Sequence, residues 1–342
     1  MKDNYGRTIE YLRISVTDRC NQRCIHCMPE GGVALMEHGD ILSYEEIGRV
    51  AAEAARLGVR KIRLTGGEPL VRPQLHRLVA LLKETPGIET VVLTTNAVLL
   101  KDQLPDLLAA GLDGVNASLN AMDREAYRAF TGRDLFDPAM EGLQAALDTP
   151  DLKVKINCVP TIGREKQLIK LAGLARDTRA SVRFIELMPI GMGGSLQGIE
   201  KDALLDLFQR SFGEPVRVPS TGSGTAAAEF ETGTEHVEVP HSIAGPAEYV
   251  RFPGFLSDIG FISAVSHRFC EDCNRIRLTA DGKLKSCLAF PAGEDVKEIL
   301  RNGGSQQDIS DAIVRCIQKK PEHHQFGLAK TEEDRLMSQI GG

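Results

Sequence analysis

The 342-residue chain has 42% hydrophobic and 26% charged residues, an ordinary globular balance with enough apolar material for a sizeable core. Its length suits one large α/β domain, or two domains sharing an interface. A net charge of −6, 5% aromatic residues and no tryptophan argue against a nucleic-acid surface, which is usually basic and stacks bases on aromatic rings.

The opening residues Met1 to Arg7 are polar and show no apolar signal region. The most apolar stretch, Val91 to Leu100, is interrupted by Thr94, Thr95 and Asn96, far short of the ~20 residues of a membrane span. A cytoplasmic location is expected, with no membrane and no nucleic-acid partner. In that compartment the eight cysteines are expected to be metal ligands or catalytic groups rather than disulfides.

Apolar, β-branched runs predict strands at Tyr11–Val16, Val59–Leu64, Thr90–Thr94, Gly114–Leu119, Leu152–Val159 and Ser181–Leu187. Helical patterns fall between them at Tyr44–Leu57, Pro73–Glu84, Leu104–Ala110, Arg124–Phe130, Pro138–Leu147 and Glu165–Arg176. Ser43 and Glu46 read as a capping box, and Pro73 and Pro138 suit first-turn positions. Six strand–helix units imply parallel strands with right-handed crossovers, in a doubly wound sheet or a barrel. Six units fall short of eight, so the expected fold is α/β, an incomplete (β/α)6 TIM-like barrel over residues 1–190. A smaller C-terminal α+β region over 191–342 is expected to cap its open side.

That region begins beyond Gly191. The stretch Pro219 to Glu235 reads as a surface loop. Strand-like pieces follow at Glu248–Phe252, Asp258–Ala264 and Arg275–Thr279, then helical patterns near Glu294–Arg301 and Gln307–Lys319.

In open α/β sheets and barrels, ligands gather at the carboxyl ends of the strands. Unusual residues stand there in succession: three cysteines after the first strand, Gly66-Gly67-Glu68-Pro69 after the second, then Thr94-Thr95-Asn96, Ser118 and Met188-Pro189 at later strand ends, with Lys155 on the fifth strand. A shared site accounts for the register.

Cys20, Cys24 and Cys27 form Cys-x3-Cys-x2-Cys. A four-iron cluster normally takes four thiolates, so three in one loop leave one iron open. Zinc completed by His26 or a distant residue is the alternative, although zinc favours paired Cys-x2-Cys units. His26 reads as a loop residue offering its backbone. A second set, Cys270, Cys273 and Cys287, is also one ligand short of four, and Cys316 in a helical pattern could close it as a structural site. Otherwise Cys316 and Cys158 are buried free thiols.

Cys-x3-Cys-x2-Cys followed by Gly-Gly-Glu-Pro resembles the radical S-adenosylmethionine (SAM) superfamily. The second set narrows the resemblance. With Asn274-Arg-Ile-Arg277, Leu12-Arg-Ile-Ser-Val-Thr-Asp-Arg-Cys20, Arg183-Phe-Ile-Glu-Leu-Met-Pro189 and the terminal Gly341-Gly342, the chain is similar to the family of molybdenum cofactor biosynthesis protein A, the GTP 3′,8-cyclases. The resemblance implies two 4Fe–4S clusters, the first binding SAM and the second the guanine of GTP. It places His26, Gly66, Gly67, Thr94, Ser118, Lys155 and Met188 against SAM, with the two glycines allowing close approach of its methionine amino group. Arg13, Lys61, Arg63, Lys155, Arg183, Arg275 and Arg277 match the GTP-binding set, and these arginines lie on strands, where solvated charges are unexpected. Arg13, Arg275, Arg277, Gly341 and Gly342 would be catalytic, the tail reaching into the site.

It further implies a homodimer, a reducing electron donor and a downstream cyclic pyranopterin monophosphate synthase. No P-loop is present, which disfavours a GTPase. Asn120 stands where the family usually has aspartate, and the segment after Pro189 lacks the family's usual tryptophan. A peptide maturase with twin clusters would carry a longer C-terminal cysteine set, and a metal-binding redox sensor would need neither Gly-Gly-Glu-Pro nor the basic set.

Overall fold

The computed structural model describes residues 1–218, 245–326 and 335–341. The loop expected at Pro219–Glu235 and the terminal Gly342 lie outside the described residues. Six β/α units come first: β1 (Tyr11–Ser15), α1 (Tyr44–Arg56), β2 (Lys61–Thr65), α2 (Leu75–Lys83), β3 (Thr90–Thr95), α3 (Leu100–Ala109), β4 (Gly114–Ser118), α4 (Arg124–Thr131), α5 (Phe136–Leu147), β5 (Lys153–Cys158), α6 (Glu165–Asp177) and β6 (Ser181–Ile185). Then come α7 (Lys201–Phe212), β7 (Val216–Val218), β8 (Glu248–Arg251), β9 (Ile259–Ile262), β10 (Arg275–Leu278), β11 (Lys283–Lys285), β12 (Glu294–Asp295), α8 (Val296–Arg301), α9 (Gln306–Gln318) and α10 (Met337–Ile340).

All strands join one sheet in the order β12-β11-β10-β1-β2-β3-β4-β5-β6-β9-β8-β7, and its two ends do not pair. The incomplete barrel is therefore present. The C-terminal region does more than cover the gap: β10 pairs parallel with β1 and β9 parallel with β6, so it lengthens the parallel run at both edges. A small second core of Ile190, Ala289, Phe326 and Ile340 packs this region over the end of β6.

Four helix starts differ from expectation: α5 begins two residues early at Phe136, and α8 begins at Val296 because Glu294–Asp295 pair with β11 as a strand. α2 begins at Leu75, because Gln74 at φ 58° cannot continue a right-handed helix from Pro73. α3 begins four residues early and holds Pro105 inside it, since burying Leu100, Leu104 and Leu107 outweighs the lost backbone bond.

The period of two along each strand sorts the side chains. Ile14, Leu64, Leu93, Val115 and Val154 line up across β1 to β5 and are buried in the main core. The alternate positions form three polar rows on the opposite face of the sheet. Arg277, Arg13 and Arg63 make one across β10, β1 and β2; Thr94, Asn116 and Lys155 the next across β3 to β5; Ser118, Asn157 and Arg183 the third across β4 to β6.

The Ser43 hydroxyl accepts from the Glu46 amide while the Glu46 carboxylate accepts from the Ser43 amide, capping α1 as expected. Ser43→Ala is expected to lower stability by about 1 kcal/mol, read as a reduced urea midpoint with unchanged slope. An unchanged midpoint would show that the box contributes nothing.

Candidate active site

The first cysteine loop leaves β1 at its carboxyl end and is clamped from the loop after β2. The amide of Gly67 donates to the Thr17 carbonyl at 2.8 Å, and that of Glu68 to the Arg19 carbonyl at 2.8 Å. A Cβ on Gly66 would stand 2.5 Å from the Thr17 oxygen, and one on Gly67 2.3 Å from the Arg19 oxygen. In this structure it is the cysteine loop itself that approaches where a Cβ would stand on each glycine.

Glu68 was not singled out from the sequence, yet it ties three loops together. Its buried carboxylate accepts from the Leu70 amide at 3.0 Å, the Thr95 hydroxyl at 2.7 Å and the Asn96 amide at 2.7 Å. Asn96 Nδ2 in turn donates to Asn21 Oδ1, between Cys20 and Cys24, at 2.6 Å. Burial raises the Glu68 carboxyl to about 7 against these bonds.

Cys20, Cys24 and Cys27 feel one another's charge. Burial pushes Cys20 up to about 11 and Cys27 up to about 12, and raises Cys24 well above the ordinary thiol range. Thiols this reluctant to ionise become ligands when a metal displaces their protons. No three His, Cys, Asp or Glu side chains among the described residues sit as a single ion would require, but three thiols converging from one loop fit a larger iron–sulfur cluster. His26 is half-buried against Phe130, their centroids 5.3 Å apart, and loss of water around its ring lowers the imidazole to about 4. Thr94 Oγ1 is buried without a protein hydrogen-bond partner, as a residue awaiting a ligand would be. Ser118 ends β4, while Met188 packs on the second core cluster.

The second cysteine set lies at the other end of the strands. Cys270 and Cys273 precede β10, and β11 runs back antiparallel so that Cys287 returns to the same end. Cys270 is raised by burial and by Cys273 and Cys287. Burial also pushes Cys273 up, but Lys320 and Arg275 outweigh it and hold the thiol at about 6. Cys316 and Cys158 are buried in the main core.

The cations lie between the two sets. The level of Arg275, Tyr11 and Lys61 is four residues below that of Ser15 and Thr65, about 13 Å at ~3.3 Å per residue. Burial lowers Lys61 and Arg63, with Tyr11 opposing and neighbouring cations adding. Lys155 falls to about 7 through burial, then Arg183, Lys61 and Arg63. Arg277 falls to about 10 through burial and Arg275, and Arg13 well below its ordinary value through burial and Arg277. The Tyr11 ring lies under Lys61 Nζ at 5.5 Å and the Arg63 guanidinium at 5.6 Å. Arg183 Nη2 donates to Asn116 Oδ1 and Asn157 Oδ1, at 2.5 and 2.7 Å.

The tail enters this space. Gly341, at φ 72°, lies so close to Ser15 and Thr65 that a Cβ would stand 3.1 and 3.0 Å from their side chains. Its carbonyl accepts from Arg277 Nη1 at 2.6 Å. Asn120, the departure noted above, still acts as an acceptor, taking the Val159 amide at 2.8 Å.

Two family profiles match the chain: the radical SAM superfamily over residues 14–172 and Molybdenum Cofactor Synthesis C over 180–326. A GTP 3′,8-cyclase of Clostridium perfringens is 38% identical over the full length of both chains, and one of Heliobacterium modesticaldum is 41% identical, again over both full lengths. Among solved structures, Streptococcus suis SuiB bound to S-adenosylmethionine shares the fold at a TM-score of 0.56 with 14% identity. The match covers 86% of this chain and 65% of that one.

Because the folded Glu68 carboxyl is raised from 4.5 to about 7, the folded state binds the extra proton between those values. Stability of the metal-free protein should therefore fall as pH rises from about 4.5 to about 7, and Glu68→Gln should flatten that part of the profile. Denaturant unfolding across this range checks it; parallel profiles for the two proteins would contradict the assignment.

Proposed function

This chain belongs to the GTP 3′,8-cyclase family of radical SAM enzymes, and we propose that it closes the ribose-to-guanine ring of GTP inside the open barrel, as a step of molybdenum cofactor biosynthesis. The observation carrying this reading is the set of buried and half-buried cations between two three-cysteine sets. The main charges acting on Lys61, Arg63 and Lys155 are those of other cations and of the Tyr11 and Tyr249 phenols. A group of like charges withdrawn from water calls for an anion of several charges, and a triphosphate meets that need.

Bound 4Fe–4S and SAM would supply a 5′-deoxyadenosyl radical for removing the ribose 3′ hydrogen; ring closure at guanine C8 with uptake of one electron and one proton would give 3′,8-cyclo-7,8-dihydro-GTP. Cys20, Cys24 and Cys27 would hold that cluster. Thr94, Ser118 and Lys155 stand in the polar rows on its side of the lumen to receive SAM, with His26, Gly66, Gly67 and Met188 around the loop ends. Cys270, Cys273 and Cys287 would hold a second 4Fe–4S cluster whose open iron takes the guanine.

Arg13, Lys61, Arg63, Arg183, Arg275 and Arg277 grip the triphosphate, and Lys155 reaches both ligands. Gly341, held through Arg277, presents backbone where a side chain would block the lumen, and Gly342 is assigned to the same catalytic tail. Fixing both reacting centres of GTP in one enclosed space supplies proximity and keeps water from the radical.

Residues 1–190 thus carry the radical-generating set and share the grip on GTP with residues 191–342. A homodimer, a low-potential electron donor and a downstream cyclic pyranopterin monophosphate synthase complete the proposal. No helix among the described residues is long and apolar enough to cross a membrane.

Anaerobic protein given SAM, reductant and GTP is expected to form 5′-deoxyadenosine and a cyclised nucleotide, with about eight irons per chain. Absence of GTP-dependent turnover would overturn the activity, and about four irons would remove the second cluster. Arg275→Ala is expected to weaken GTP binding while SAM cleavage persists; equal loss of both would make that arginine structural.

A further inference from the structure

Lys320 is a buried cation, 3% exposed, just beyond α9. Its Nζ donates to the Arg275 carbonyl at 2.8 Å and to the Ser286 carbonyl at 2.8 Å. These carbonyls stand two residues after Cys273 and one before Cys287. The ammonium charge also acts on the Cys273 thiol and helps hold it low. The carboxylate of Glu294 is engaged instead by Arg315 and by the neighbouring Lys319.

The residues that follow grip the same set. The carbonyls of Pro321 and Glu322 accept from Arg7, whose Nη1 also donates to the Cys270 carbonyl at 2.8 Å. Arg7 is itself fixed by Asp3 at 2.6 Å. The His324 backbone hydrogen-bonds the Cys270 thiol.

A buried ammonium whose hydrogen-bond acceptors are carbonyl dipoles is costly, and the ionisable groups it acts on are the thiols of Cys270, Cys273 and Cys316. We propose that Lys320 is the positioning residue of the second cluster: its fixed charge draws the Cys270–Cys273 loop and the Cys287 turn together and raises the reduction potential of a 4Fe–4S cluster held there. The inference rests on the two-cluster reading. Reduction adds negative charge to the cluster, so a cation and a hydrogen bond at a ligating sulfur favour the reduced form. Among the described residues the first set shows no comparable buried cation: Arg23 acts on Cys20, and the charges that act on Cys24 and Cys27 are those of neighbouring cysteines.

The test uses the full chain carrying Cys20→Ala, Cys24→Ala and Cys27→Ala, reconstituted anaerobically with iron and sulfide, so that only the second set can hold a cluster. About four irons are expected; none would remove the second cluster, and this inference with it. In that background Lys320→Met should retain iron but reduce less readily. Its reduced-to-oxidised ratio at a fixed potential, read by electron paramagnetic resonance, should fall about tenfold, about 59 mV for one electron. Lys320→Arg, which keeps the charge, should restore the ratio.

An unchanged ratio in Lys320→Met overturns the proposal. Loss of iron from Lys320→Met alone, with Lys320→Arg retaining it, supports the charge as the holding element. Equal loss from both overturns it.

Discussion

The structure depends on keeping a group of positive charges out of water on one face of a β-sheet. In water two unit charges at 4 Å interact by about 1 kcal/mol, but at the effective dielectric of a partly dry site the figure is about 4 kcal/mol, here repulsive. Arg277, Arg13 and Arg63 lie side by side across β10, β1 and β2 because the strand register leaves them no other arrangement. The opposing force comes from the far face of the same strands, where Leu12, Ile14, Ile62 and Leu64 are fully buried. The apolar face thus holds the polar one in a state it would not choose alone, and a polyanion relieves it.

That arrangement explains why the C-terminal region is built into the sheet. A separate cap could not place Arg275 and Arg277 in register with Tyr11 and Arg13, whereas a parallel β10 does. The same strand brings the second cysteine set to the end of the lumen opposite the first. The two sets then differ in surroundings: the first is held by glycine-mediated backbone contact and the Glu68 hub, the second by the cations Arg7 and Lys320.

The six barrel strands were legible within about two residues because they are short apolar, β-branched runs whose ends carry distinctive residues. Helix α7 and strands β7 and β11 were not read, being short or weakly patterned segments whose assignment rests on tertiary pairing. The cysteines and strand arginines stood out as residue types in unusual places. Glu68, Arg7 and Lys320 did not, since their roles are set by partners up to 315 residues away. Gly66 and Gly67 were legible as close-approach positions, but in the structure the approaching group on the Cβ side is the backbone of residues 17–19.

The most direct test is calorimetric comparison of GTP with guanosine on the reconstituted protein without SAM. If the buried cations exist to receive the triphosphate, GTP should bind at least about 100-fold more tightly, since two charge-assisted bonds of about 1.5 kcal/mol each already supply that ratio. Equal affinities would contradict the account, leaving the charged rows without a substrate to justify them.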